Sequence, residues 1–169
     1  LENKFGFEKA KFFWNIGLEA VKTVTNLIKK HEIDCALRQG IMHVGNTKSD
    51  YKYFIEEINH MEKKYDYSNY EYFDSKKIKD EVASDRYHSG ILSKDSYHLN
   101  PLKLTYGLAE LCLKNNIKIF EKSPVDKIED KNSEVHIHSN NLIIKSKKII
   151  VACNGYLDNL LGSSRNYFM

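Results

Sequence analysis

Few residues in this chain of 169 have the type and spacing to do chemistry. The leading candidate is Ala152-Cys153-Asn154-Gly155, which closes the apolar run 149–152. A continuous apolar run fits a strand buried on both faces, as in a parallel sheet covered by helices. In open α/β sheets, ligands sit beyond the carboxyl ends of such strands. An Asn-Gly pair there permits positive φ and a close backbone approach. Cys153 as a nucleophile would need an activating base, and no histidine stands at a spacing to supply one. His136 and His138 lie two apart on an alternating strand and so share one face. A metal would need a third ligand, but no carboxylate or cysteine sits at matching spacing, and the wet face of a meander accounts for the pair. His88 and His98 flank a strand and a loop, where either could touch a substrate. Ser163-Ser164 has no His/Asp partner at a telling spacing, and no paired carboxylates stand out.

The elements that must position these residues are readable from periodicity and caps. Residues 7–30 form a helix, with Phe13, Ile16, Ala20, Val24, Leu27 and Ile28 on one apolar stripe. A strand over 36–44 follows, with Gly40 inside it. A second helix covers 50–64, with Ser49 or Asp50 as its cap. The aromatic, acidic stretch 65–73 reads as loop and a short edge strand. A short helix over 75–82 and a strand over 87–93 come next. Asn100-Pro101 is the clearest helix start, since Asn caps and Pro suits the first helical position. That helix stops at Asn115-Asn116, which tolerate the left-handed turn. A strand is expected at 117–120. Then come three meander strands at 125–128, 135–138 and 142–145, with Asn140-Asn141 as a turn. The apolar strand 149–152 closes the series.

Composition sets the outer limits. Lysine and arginine total 26 against 23 acidic residues, a net charge of +3 spread over mixed short runs. That is no nucleic-acid footprint. The three cysteines Cys35, Cys112 and Cys153 make neither a disulfide framework nor a zinc spacing, which points to a reducing cytoplasm. No run approaches the roughly 18 apolar residues that span a bilayer. None of the 8 glycines has another two residues on, which excludes GxGxxG, and none is followed by Lys, which excludes GxxxxGK[ST]. The chain starts at Leu1 rather than Met and ends in apolar residues, so a piece of a longer protein is expected.

Three segments carry a family resemblance. They are Gly90-Ile91-Leu92-Ser93-Lys94-Asp95-Ser96-Tyr97-His98-Leu99-Asn100-Pro101-Leu102 with Tyr106-Gly107-Leu108-Ala109, then Ile117-Lys118-Ile119-Phe120-Glu121-Lys122-Ser123-Pro124-Val125-Asp126-Lys127-Ile128, then Lys148-Ile149-Ile150-Val151-Ala152-Cys153-Asn154-Gly155-Tyr156-Leu157. Gly17-Leu18-Glu19-Ala20-Val21 and Gly40-Ile41 fit the same pattern. In order and spacing the chain resembles the FAD-dependent amine and amino-acid oxidoreductases of the D-amino-acid-oxidase/glycine-oxidase type, the γ-glutamylputrescine oxidoreductases in particular.

The resemblance implies a mixed α/β (α+β) fold. It would hold part of an FAD/NAD(P)-binding sheet with helices and a β-meander, plus part of an antiparallel substrate domain. Residues 1–34 and 100–169 would lie on the cofactor side, and 35–99 in the substrate domain, both incomplete. Val125 matches the position whose backbone contacts the adenine end of FAD. Ala152, Cys153, Asn154 and Gly155 match the strand end that passes close to FAD. The implied reaction is oxidation of a C–N bond in a small amine or amino acid, with hydride transfer to FAD and reoxidation by oxygen. The family's GxGxxG unit is missing, so a separate chain carrying it is an implied partner and this chain alone is expected to be inactive. The alternative is a non-catalytic accessory module or split-gene relic of the same fold. A third reading, RNA binding through the eleven tyrosines, rests on composition alone.

Overall fold

A computed structural model describes residues 1–131, 133–154 and 160. The chain divides into two compact units, Leu1–Ile117 and Lys118–Met169.

In the first unit a single turn, α1 (Glu2–Phe5), leads through Gly6 into the long helix α2 (Phe7–Lys30). The helix has the predicted span, but its buried residues are Ala10, Thr25 and Ile28. Phe13, Ile16, Val24 and Leu27 of the expected stripe are exposed, because no described element packs over that side. The chain then forms β1 (Arg38–Gly45), α3 (Asp50–Tyr65), β2 (Tyr70–Phe73), α4 (Ser75–Val82), β3 (Ser89–His98) and α5 (Pro101–Lys114). The strands make an antiparallel sheet in the order β1-β3-β2, so the short β2 is an edge, as the sequence suggests.

β3 runs five residues beyond its expected end at Ser93. The reason is a bulge. Ile41 pairs with Ser93, whereas Gln39 pairs with Tyr97, so the three residues Lys94-Asp95-Ser96 of β3 face one residue of β1. Opposite it, Gly40 takes a φ of 96°, and the Gln39 amide donates to the Lys94 carbonyl at 2.7 Å. Glycine inside a strand is a frequent mark of a bulge, because it accepts the positive φ.

The helix starts follow local rules unevenly. Asn100 caps α5 as expected, accepting from the Lys103 amide at 3.0 Å, with Pro101 next to it. Asn116 ends the helix at φ 60°. Asp74, not singled out in the sequence, caps α4 by accepting from the amides of Lys76 and Lys77. For α3 neither expected cap forms. Ser49 makes no cap bond, and the Asp50 carboxylate turns back to the Thr47 amide at 2.9 Å. The core of this unit collects Ala10, Ile28, Cys35, Phe54, Met61, Phe73, Ile78 and Ile91.

The second unit holds the predicted meander, β4 (Lys127–Lys131), β5 (Glu134–Ser139) and β6 (Leu142–Ser146), antiparallel in that order. The β5–β6 turn is Asn140-Asn141, with Asn140 at φ 52°. Asp126 fixes that end of the ladder: its amide donates to the His138 carbonyl at 2.8 Å, and its carboxylate accepts from the Asn140 amide at 2.9 Å.

Two expected strands are absent. Residues 117–120 and 149–152 have no strand pairing among the described residues. Phe120 is 68% exposed and Ile150 91% exposed, so the apolar run at 149–152 is not a buried strand here. A strand exists only as half of a ladder, so an apolar run with no edge to join does not become one.

Candidate functional site

Val125 lies two residues before β4 and is half-exposed at 39%. Ala152, Cys153 and Asn154 are exposed, with no strand before them, and Asn154 adopts φ 52°, the positive φ that the Asn-Gly pair permits. Gly155 lies outside the described residues. Cys153 is a free, exposed thiol, and Cys35 and Cys112 are also free.

These residues fit part of a dinucleotide. Exposed small side chains, an open apolar run and a positive-φ backbone suit close contact with a flat ring. A pyrophosphate is commonly held by the convergent amides of a glycine-rich turn, and the sequence has no GxGxxG to form one.

The histidine pair of β5 is occupied by carboxylates. His138 Nε2 lies 3.0 Å from Glu129 Oε2, and His136 Nε2 lies 3.5 Å from Glu134 Oε2. Among the described residues no group of three or more His, Cys, Asp or Glu could hold a metal ion. Glu129 also accepts from Lys127 at 2.6 Å and pairs with Lys131 at 3.3 Å. The Lys127 hydrogen bond, then those of His138 and Lys131, hold its carboxyl at about 2 against an ordinary 4.5. A depressed carboxyl contributes stability that is present above its unfolded pKa and lost as pH falls through its folded one. The meander should therefore lose stability between about pH 4.5 and about pH 2, with less loss in Glu129→Gln. Acid titration of the β4 and β5 amide signals by NMR measures this. Identical acid profiles for the two proteins would remove Glu129 as the cause.

The first unit contains a feature the sequence does not announce. A cleft of about 740 Å³ opens among α1, α2, α3 and β3. Its aromatic wall is a chain of edge-on rings. Trp14 meets Tyr65 at 5.8 Å and Tyr67 at 5.0 Å, and Tyr67 meets Tyr70 at 5.0 Å. The Tyr67 hydroxyl donates to Asp95, whose other oxygen accepts from the Asn69 amide at 2.9 Å. Burial, reinforced by the Asp95 bond, raises the Tyr67 phenol. Across the cleft Glu2 Oε1 accepts from the Tyr65 hydroxyl and lies 2.7 Å from His60 Nε2. The Tyr65 bond, then that to His60, lower the Glu2 carboxyl. The Tyr65 phenol is pushed up to about 12, first by desolvation and then by Glu2. The Trp14 indole N–H is buried with no acceptor among the described residues. These residues come from positions 2, 14, 57–70 and 93–96, so no local motif could have gathered them. The only sequence signal was the aromatic, acidic stretch 65–73.

Comparison with known proteins gives these features a family. The chain is 32% identical over 153 residues to a probable oxidoreductase OrdL of Haemophilus influenzae, covering 90% of this chain and 36% of that protein. It is 29% identical over 157 residues to the γ-glutamylputrescine oxidoreductase of Escherichia coli, covering 93% and 36%. The chain thus spans about a third of the length of the curated relatives it matches. The crystal structure of glycine oxidase from Bacillus cereus superposes with a TM-score of 0.72 at 13% identity, over 94% of this chain and 43% of that one. That likeness shows the fold: mixed helices and antiparallel sheets, as the resemblance implied. No helix of the described residues is long and apolar enough to cross a membrane. Matched from residue 4 to residue 167, the chain belongs to the FAD-dependent oxidoreductase family.

Proposed function

We propose that this chain is part of a flavin-dependent oxidoreductase that oxidises the C–N bond of an amine or amino acid, a γ-glutamylputrescine-like compound being the favoured substrate. The observation that carries the reading is the family match over nearly the whole chain, together with its similarity to γ-glutamylputrescine oxidoreductase. FAD, when bound, supplies the two-electron acceptor for that oxidation, with reoxidation by oxygen. The chain's own part is positional. By the family resemblance, the backbone at Val125 receives the adenine end, and Ala152, Cys153, Asn154 and Gly155 are the residues that pass close to FAD. Residues 1–34 and 100–169 serve the cofactor side and 35–99 the substrate side. The three free cysteines suit a cytoplasmic setting.

Pyrophosphate binding falls to a glycine-rich unit outside this sequence, carried on a longer protein or on a separate chain. The test is co-expression with a GxGxxG-bearing unit of the family, followed by the visible flavin spectrum of the purified complex. The chain alone should be colourless, and the complex yellow. Tight stoichiometric flavin with amine turnover in the chain alone contradicts the fragment reading. Failure of the two polypeptides to associate favours the accessory or relic alternative.

A further inference from the structure

We propose that the outer face of α2 is the docking surface for the glycine-rich, pyrophosphate-binding unit. The inference rests on the function proposed above and names where its two parts meet. At about 100° per residue, Phe13, Ile16, Ala20, Val24 and Leu27 fall within one arc of roughly 80°. All five are exposed. A second arc beside it carries Ala10, Trp14, Leu18, Thr25 and Ile28, which are buried or half-buried. Lys11, Lys22 and Lys29 mark the remaining, polar side. The two arcs together span roughly 200°, about twice the stripe of a helix that lies on one layer. Lys9, in the first turn, is the one charge within them. A helix with two adjoining uncharged faces is built to lie between two layers, and here it has one.

Gly17 is an independent sign. It sits mid-helix on the border of the two arcs, where glycine weakens a helix relative to alanine. A Cβ there would meet nothing within 4 Å among the described residues. Gly107 of α5 is the contrast, because a Cβ there would run into Ile33 Cγ2. The packing of the first unit requires Gly107 and makes no such demand of Gly17. A further layer approaching α2 closely would make one. At the N-terminal end of the stripe Phe5, Phe12 and Phe13 meet edge-on and are exposed, the kind of patch that marks an interaction surface. The occupant is the unit that the family reading requires and this sequence lacks. The match covers 36% of the Haemophilus influenzae relative, so most of that protein lies outside it. α2 also falls within residues 1–34, the part assigned to the cofactor side.

The full chain is co-expressed with an affinity-tagged GxGxxG-bearing unit of the family, and the chain recovered with the tag is quantified. Ile16→Lys and Val24→Lys should each lower recovery at least about tenfold. The thermal unfolding midpoint of each variant chain alone should stay that of the parent. Lys22→Glu, on the polar side, should be recovered as the parent is. Gly17→Ala should raise the midpoint of the chain alone and lower its recovery, two opposite signs that a role within the first unit would not give. A parent chain that is not recovered removes the function proposed above and this inference with it. Recovery of the parent and of both lysine variants to the same extent overturns the docking surface alone. A discrete dimer of the chain by itself, dissociated by Ile16→Lys and kept in the presence of the unit, assigns the stripe to a second copy and also overturns it.

Discussion

Ile78→Ala destabilises the first unit by about 2–5 kcal/mol, read from urea unfolding followed by Trp14 fluorescence. Ile78 is 0% exposed and is the one buried residue of α4. Eight residues make too short a helix to persist alone in water, since helix nucleation is costly. α4 therefore stands on three supports: the Asp74 cap, the left-handed end at Ala83, and the burial of Ile78 against β2 and β3. Removing the third leaves a cavity beside the central strand, and the helix loses most of its reason to dock. Amide exchange should speed first in residues 75–82, and Ile78→Val should cost only about 0.5–1.5 kcal/mol. A loss below about 1 kcal/mol for the alanine variant would mean that α4 is held by its cap and not by its core contact.

How much of this was legible beforehand depends on whether a feature is local. The Asn100-Pro101 start, the Asn116 stop and the Asn140-Asn141 turn each depend on neighbouring residues, and each forms as read. The meander is nearly local, because each strand pairs with the next. The errors lie where the partner is distant. Residues 117–120 and 149–152 have strand composition but meet no strand edge among the described residues. The stripe on α2 is genuine, yet which face of a helix is buried depends on what packs against it. β3 was cut short at Lys94-Asp95-Ser96, three polar residues that a bulge tolerates and a regular strand would not favour. The cleft was invisible for the same reason, with Trp14 and Asp95 eighty-odd positions apart and joined only through Tyr67. The family resemblance was legible because it rests on order and spacing along the chain, and the match over residues 4–167 has that character.

Gly90→Ala destabilises the same unit by about 1–3 kcal/mol, for the opposite physical reason. A Cβ at Gly90 would stand 2.7 Å from Ile78 Cδ1, 3.1 Å from Met42 Sδ and 3.2 Å from the His43 carbonyl oxygen. Met42 is flexible and can retreat, but the carbonyl belongs to the paired strand β1, where Val44 faces Gly90 in the ladder. The added methyl also restricts the unfolded chain, which returns roughly 0.4–1 kcal/mol to the folded state and trims the net loss. The two substitutions should be coupled. In an Ile78→Ala background the nearest obstruction is gone, and the alanine methyl at position 90 enters the space that Cδ1 leaves. The double variant should then be more stable than the sum of the single losses predicts, by about 0.5–3 kcal/mol. Strict additivity would assign the Gly90 requirement to the backbone of β1, because the His43 carbonyl is untouched by either change. A positive coupling assigns it to Ile78, and makes the absence of a side chain at Gly90 the condition that lets α4 close onto β3.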